Sequence, residues 1–179
     1  EKMGLDIHLF SMRPGREAFV HRSVSEIRAR VDYLPETFLR NAHRLLVHNL
    51  RLAIRRPRTY AAGAGLARRR YQRTRNPASL RHFLQAGYLV EKCLPGSGVR
   101  HLHAHFAHSP TSVALYASKL SGLPFSFTAH ARDLYQIPVK SLREKIRLAK
   151  SVITCCQANL DYLRSHVPAA DHPKIHLVH

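Results

Sequence analysis

VRHLHAHFAHSPTSVALYASKLSGLPFSFTAHARDLYQ, residues 99–136, decides the fold of this 179-residue chain. It reads as strand, helix, strand. Residues 101–106 (HLHAHF) suit a short strand, and strand side chains alternate between faces, so His101, His103 and His105 share one face. Ser109-Pro110 is a helix start: a hydroxyl N-cap, then proline at the first helical position, where no N–H is needed. Val113, Ala114, Ala117 and Leu120 follow at helical spacing. Gly122 is placed to end the helix and Pro124 to keep it from resuming. Residues 125–129 (FSFTA) give the second strand, with His130 to Asp133 just beyond it. The crossover is long enough for parallel strands. In open parallel sheets ligands bind outside the carboxyl ends of the strands. His105 and His130 each end a strand, so they are expected to flank one crevice.

On the amino-terminal side, residues 4–10 read as a strand entered at Gly4, and residues 11–23 as a loop around the Pro14-Gly15 turn. Residues 30–34 form a short strand closed by Pro35. The opening residues match the middle of an α/β domain, so a first strand and helix are expected ahead of Glu1. Residues 37–56 are helical, with Pro57 expected to stop the helix and Gly63 and Gly65 to weaken the next segment. Asn76-Pro77 opens a further helix through Leu80, Phe83, Leu84 and Leu94, ended by Pro95-Gly96. On the carboxyl side, residues 139–150 are a helix with Leu142, Ile146 and Ala149 inward. Residues 151–155 read as a buried strand, residues 157–165 as a short helix and residues 174–178 as a last strand. Strands alternating with helices predict an α/β fold with a doubly wound parallel sheet, in one domain. No apolar run approaches a membrane span, and no signal peptide is visible.

Charge is the least ordinary property. The chain has 29 Lys and Arg against 11 Asp and Glu, a net +18, which favours phosphates, nucleic acid or anionic lipid. Residues 37–90 contain twelve arginines and no Asp, Glu or Lys. Arg40, Arg44, His48, Arg51 and Arg55 recur every three or four residues and so share a helix face. Leu39, Leu46, Leu50 and Ala53 occupy other parts of that helix, making it amphipathic. Arg40, Arg44, Arg51 and Arg55 are therefore candidates for contact with an anionic surface, against the plainer reading of a solvated helix face. Aromatics are few among these arginines and no nucleic-acid motif is present, which argues against nucleic acid as the partner.

Candidate chemistry is confined to a few positions. His101, His103, His105 and His108 invite a metal reading, but the nearest acids in sequence are Glu91 and Asp133, so a complete ligand set is not expected. His101 and His103 are read as satisfying neighbouring polar groups. His105 and His130 are placed to donate to, or accept from, a substrate. Asp133 either orients a substrate hydroxyl or caps the following loop. Cys155 and Cys156 lie within an apolar stretch and read as core, in a reduced setting. No Gly-x-Ser-x-Gly elbow, Walker loop or Gly-x-Gly-x-x-Gly occurs.

HLHAHFA followed by a helix, then LPFSFTAHARDLY, resembles the amino-terminal domain of family 4 glycosyltransferases, with Thr128-Ala-His130-Ala the most specific part. The resemblance covers residues 99–179 well and the rest loosely. It implies a Rossmann-like domain, the acceptor-side half of a two-domain GT-B enzyme, with residues 1–179 lacking its first strand, the glycine-rich loop and the carboxyl-terminal donor-binding domain. It further implies retaining transfer from a nucleotide-diphosphate sugar to a polysaccharide or lipid-linked acceptor in cell-envelope or exopolysaccharide synthesis. The nucleotide sugar enters as substrate, with no metal and no other cofactor. His130 matches the cleft histidine that contacts the transferred sugar and stabilises developing charge. His105 matches an acceptor-side position, and Asp133 is carried over as substrate-binding. The expected location is cytoplasmic, peripheral at the inner membrane face, and this fragment alone is expected not to turn over. The alternative is a non-enzymatic basic module that binds an anionic polymer or nucleic acid.

Overall fold

The computed structural model describes residues 4–13, 26–36 and 38–178; the Pro14-Gly15 turn and the side chains of Leu39 and Arg40 lie outside the described part. β1 (His8–Ser11) and β2 (Arg30–Tyr33) pair in parallel. Three helices follow: α1 (Phe38–Arg55), α2 (Pro57–Thr74) and α3 (Ala78–Tyr88), the last running into a π-helical turn, Leu89–Cys93. Then come β3 (Leu102–His105), α4 (Ser109–Ser121), β4 (Phe125–Ala129), α5 (Ala131–Leu134), α6 (Val139–Leu148), β5 (Ser151–Thr154), α7 (Gln157–Ser165), a 3₁₀ turn (Ala169–Lys174) and β6 (Ile175–Leu177). β3, β4, β5 and β6 form a parallel sheet in that order, a Rossmann-like α/β arrangement. Among the described residues β1 and β2 bond to each other and make a separate two-stranded sheet.

The register fixes the functional edge. Ala129 pairs with Thr154 and Thr154 with Leu177, so β4, β5 and β6 finish level with one another, while β3 stops one residue short, His105 pairing with Thr128. β3 alternates as the sequence predicts, with Leu102 and Ala104 buried and His101, His103 and His105 exposed. β4 is buried along most of its length, and Phe125 and Phe127 fill the core on its inner side at 2% and 0% exposure. Each such ring contributes about 2 kcal/mol by leaving water.

α4 is the central helix. Thr111 through Ala117 and Leu120 are all buried, so it is covered on most of its circumference, by the sheet and by α2 and α3. Its cap differs by one residue from expectation: His108 is the N-cap, its Nδ1 accepting from the Ser109 N–H at 2.6 Å, while Ser109 is already helical. Gly122 closes the helix at φ +84°, a left-handed turn that glycine adopts without strain.

In the arginine-rich segment one expectation holds and one is corrected. α1 ends at Arg55, ahead of Pro57, which then occupies the first position of α2, where a missing N–H and a fixed φ suit a helix start. Gly63 does not loosen α2. A Cβ there would meet Leu120 and Phe83 at 3.0 Å, so the bare glycine lets α2 approach α4 closely. α1 bends at Asn41, whose φ of −124° is non-helical, so Arg40 sits across a kink from the later arginines. Its buried positions are Leu45, Asn49 and Leu52, while Leu46, Val47, Leu50 and Ile54 are 45–72% exposed. The buried Asn49 amide is satisfied: its Nδ2 donates to the Leu45 and Leu84 carbonyls, and its Oδ1 accepts from the Tyr60 hydroxyl.

Candidate functional site

Three residues stand at the carboxyl edge of the sheet: His105 at the end of β3, His130 after β4 and Cys155 after β5. The His105 and His130 rings lie 5.0 Å apart, centroid to centroid, so the two histidines named from the sequence do meet. Phe106 packs against both, its ring 4.6 Å from His105 and 5.6 Å from His130, and it stacks on His108 at 5.6 Å. Phe106 has φ +80°, a left-handed backbone that costs a bulky residue on the order of 1–3 kcal/mol and survives where the surroundings over-determine it. Here its N–H donates to the Thr128 carbonyl at 3.0 Å, and its carbonyl accepts from the Thr111 hydroxyl at 2.7 Å. The strain holds a ring with 42% of its surface in solvent at the head of the strand.

His130 is half-buried, yet its Nε2 is fully covered and has no hydrogen-bond partner among the described residues. Its Nδ1 lies 3.7 Å from the Cys155 sulfur. An unpartnered buried ring nitrogen at the ligand-binding edge of a parallel sheet is the kind of exception that a bound group resolves.

Asp133 takes the second of the two roles left open by the sequence. It is 3% exposed, and its Oδ1 accepts from the His130 N–H at 2.9 Å while Oδ2 accepts from the Ala107 N–H. The carboxylate thus ties the turn after β3 to the turn after β4 and fixes His105 and His130 relative to each other. Lys145, on α6, grips the same turn from its acceptor side. Its Nζ donates to the carbonyls of Ala107 at 2.6 Å and His108 at 2.8 Å. Burial, with Arg70 close by, pushes the Lys145 amine down to about 7.

His101 and His103 behave as the plainer reading required. Both hydrogen-bond with the Ser126 hydroxyl, at 2.7 and 2.8 Å, and His103 also bonds with Thr128 at 2.9 Å. Burial lowers the pKa of both, which keeps these rings neutral. Among the described residues no three His, Cys, Asp or Glu side chains gather as a metal site would need.

The cysteines are corrected. β5 ends at Thr154, so Cys155 is exposed beyond the strand and Cys156 is half-buried at the start of α7; neither is core. The signal was available in the sequence. The rule that selected His105 and His130, a place at the carboxyl end of a predicted strand, selects Cys155, the last of residues 151–155, as well. Phe106 had no such signal, because its importance comes from a backbone angle.

The arginine stripe lies apart from this edge, on a helix that packs on α2, α3 and the π-helical turn. Arg44 donates to the Tyr88 hydroxyl at 2.7 Å and lies 5.4 Å above that ring; Arg55 is 2.8 Å from the Glu91 carboxylate; Arg51 is exposed. No helix among the described residues is long and apolar enough to cross a membrane.

Chemically, the edge offers an aromatic face, two imidazoles and a thiol, with its one nearby carboxylate engaged in holding backbone. Such a surface can stack on and hydrogen-bond to a polyhydroxylated ligand and stabilise charge that develops on it. The sequence model of Glycosyltransferase Family 4 matches residues 48–179, from within α1 through the whole four-stranded sheet. Neither the curated proteins nor the solved structures give a match. With well over half of its length matched, and with the parallel sheet in place, the chain belongs to glycosyltransferase family 4.

Proposed function

We propose that the protein is a retaining glycosyltransferase that moves a sugar from a nucleotide-diphosphate donor to a polysaccharide or lipid-linked acceptor in cell-envelope or exopolysaccharide synthesis. Residues 1–179 form its acceptor-side half, and a second Rossmann-like domain supplies most donor contacts across the cleft, so this half alone does not turn over. The observation that carries the reading is the buried, unpartnered Nε2 of His130 at the strand edge. In this proposal the Cys155 thiol is the donor to Nδ1, which assigns the ring proton to Nε2 as a donor that lacks an acceptor. Such a group costs about 1–3 kcal/mol until the groups that cover it move aside and admit a ligand oxygen. A hydroxyl of the transferred sugar is that oxygen, and the same N–H steadies charge developing on the donor as the glycosidic bond breaks. His105, one ring away, faces the acceptor, and Asp133 acts as a positioning residue beneath both. No metal and no cofactor beyond the sugar nucleotide is assigned.

The outer face of α1 is proposed to rest on an anionic lipid surface at the cytoplasmic side of the membrane. Leu46, Val47, Leu50 and Ile54 form one exposed apolar stripe, and Arg44, Arg51 and Arg55 run beside it. That pairing suits an interfacial helix, apolar into the acyl boundary and basic toward phosphates.

The intact enzyme, incubated with a panel of sugar nucleotides and membrane-derived acceptors, is expected to transfer label into glycan or glycolipid. Absence of transfer, together with polymer binding that collapses as salt rises, would replace this reading with the basic binding module.

A further inference from the structure

Behind the strand edge lies a cavity of about 250 Å³ that the transfer chemistry leaves unused. The first turns of three helices line it: Ser79 of α3, Ser109 and Ser112 of α4, and Ser141 of α6. A helix start carries roughly half a positive charge, and acids in the first turn normally offset it. None of these three first turns carries one, and among the described residues no Asp or Glu stands in the cavity wall. Lys145 and His82 complete the wall, 3% and 6% exposed. His82 has its Nε2 covered and without a hydrogen-bond partner among the described residues.

The charges around the cavity point one way. Burial first, then Arg81, Lys145, Arg70 and His108, push His82 down to about 3. Lys145 is faced by Arg70 from α2, by Asp133 from α5 and by its own neighbour Glu144. Both acids are engaged elsewhere: Glu144 pairs with Arg70 and Arg73, and Asp133 holds two backbone N–H groups. The Ser112 and Thr74 hydroxyls donate to the His108 and Arg70 carbonyls and Lys145 to those of Ala107 and His108, which leaves the Ser79, Ser109 and Ser141 hydroxyls, the imidazoles and the third Lys145 N–H as donors, with the first turns of three helices in the wall. The volume is below the roughly 300 Å³ at which pockets for whole drug-sized ligands begin. It suits a phosphate headgroup better than a sugar nucleotide.

We infer that this cavity is a phosphate subsite, taking the phosphomonoester or phosphodiester of the acceptor substrate. Its anion binding stands on the wall chemistry alone; its assignment to the acceptor rests on the transferase reading. The link to the acceptor is the turn after β3. His108 lines the cavity and also stacks on Phe106, and Lys145 holds the Ala107 and His108 carbonyls from within the wall. A phosphate seated here lies on the far side of that turn from the His105–His130 pair, leaving a hydroxyl on the same molecule to reach the edge.

The test is calorimetric and NMR titration of the protein with inorganic phosphate near neutral pH. The expected result is saturable binding, movement of the His82 ring signals and net proton uptake, read from two buffers of different ionisation enthalpy, as Lys145 regains its proton beside the anion. Ser79→Asp puts a carboxylate into the wall at a helix start, where it favours the fold. It is expected to keep the melting temperature and weaken phosphate roughly ten-fold or more. Undetectable binding, an unmoved His82 ring, or equal binding by the Ser79→Asp protein would each overturn the site. The source is read from competition in transfer assays. Inhibition by phosphate against a water-soluble phosphorylated acceptor names a soluble substrate, and inhibition against a polyprenyl-phosphate acceptor in vesicles names a lipid-linked one. Phosphate that binds at His82 yet competes with neither would overturn the acceptor assignment. Binding at His82 in a protein that transfers no sugar would keep the site and sink the transferase reading.

Discussion

Replacing Glu144 with glutamine tests how the helical layer behind the site is held together. The Glu144 carboxylate is 3.2 Å from the Arg70 guanidinium and 2.6 Å from that of Arg73. The Arg70 side chain is only 6% exposed and lies over the Tyr116 ring, with its carbon 5.6 Å from the centroid. At an effective dielectric near 20, a contact of this length is worth about 5 kcal/mol before desolvation is subtracted. Breaking one side of a buried pair typically costs about 3–5 kcal/mol, because the remaining charge is stranded. The Arg73 half is 35% exposed and adds at most about 1 kcal/mol. Glutamine keeps one acceptor oxygen, which places Glu144→Gln at the lower end, about 3 kcal/mol destabilised. In a domain of this size that is a fall of about 6–12 °C in Tm, measured by urea and thermal unfolding. Replacing both partners, Arg70→Met with Glu144→Leu, is expected to recover most of the loss, since no charge is then stranded. A loss under about 1 kcal/mol for Glu144→Gln would refute the claim that Arg70 depends on this carboxylate.

Two further outcomes follow from the same geometry. Lys145 has a folded pKa of about 7, below its unfolded value of 10.5, so between those values the unfolded chain binds more protons and stability rises with pH. The slope from this group approaches about 1.4 kcal/mol per pH unit just above neutrality, and Lys145→Met should remove it. Cys93, pushed up to about 11 by burial, works in the opposite sense above the ordinary thiol range, so urea titrations between neutral and mildly alkaline pH isolate the lysine. An unchanged slope in Lys145→Met would show that the amine titrates normally. On α1, Leu50→Glu with Ile54→Glu exchanges two exposed apolar side chains, 63% and 72% in solvent, and should leave Tm within the small range of surface changes, about 0.5 kcal/mol. Sedimentation with vesicles containing anionic lipid should fall several-fold; equal binding would place the membrane contact elsewhere.

What could be read in advance was local. The βαβ unit announced itself because strand alternation, a proline-marked helix start and Gly122 all act within a few residues, and the structure has each of them within about one position. The polar company of His101 and His103 was also legible, since a strand face of histidines beside Ser126 and Thr128 has hydroxyls within reach. Other features were fixed by contacts between distant segments. Neighbouring Leu45 and Leu46 look alike in sequence, and only the packing of α1 on α3 buries the first and leaves the second in water. Gly63 reads as a weak point until Leu120 and Phe83 are seen to need its missing side chain. The cavity is assembled from residues 74–82, 108–112 and 137–145, so no single stretch carries its pattern.

The account turns on His130, and its most direct test is the turnover of His130→Ala in the intact enzyme, measured beside nucleotide affinity. The ring sits against His105 and Phe106, with its Nε2 buried and without a hydrogen-bond partner among the described residues. Loss of a donor that acts on developing charge is expected to lower kcat by about 10²–10³-fold. Under the proposed function the nucleotide is held mainly by the other half of the cleft, so its Kd should stay within about two-fold, a change of under 0.5 kcal/mol. Turnover that survives the substitution within a few-fold would contradict the account and leave His130 as a packing residue of the strand edge.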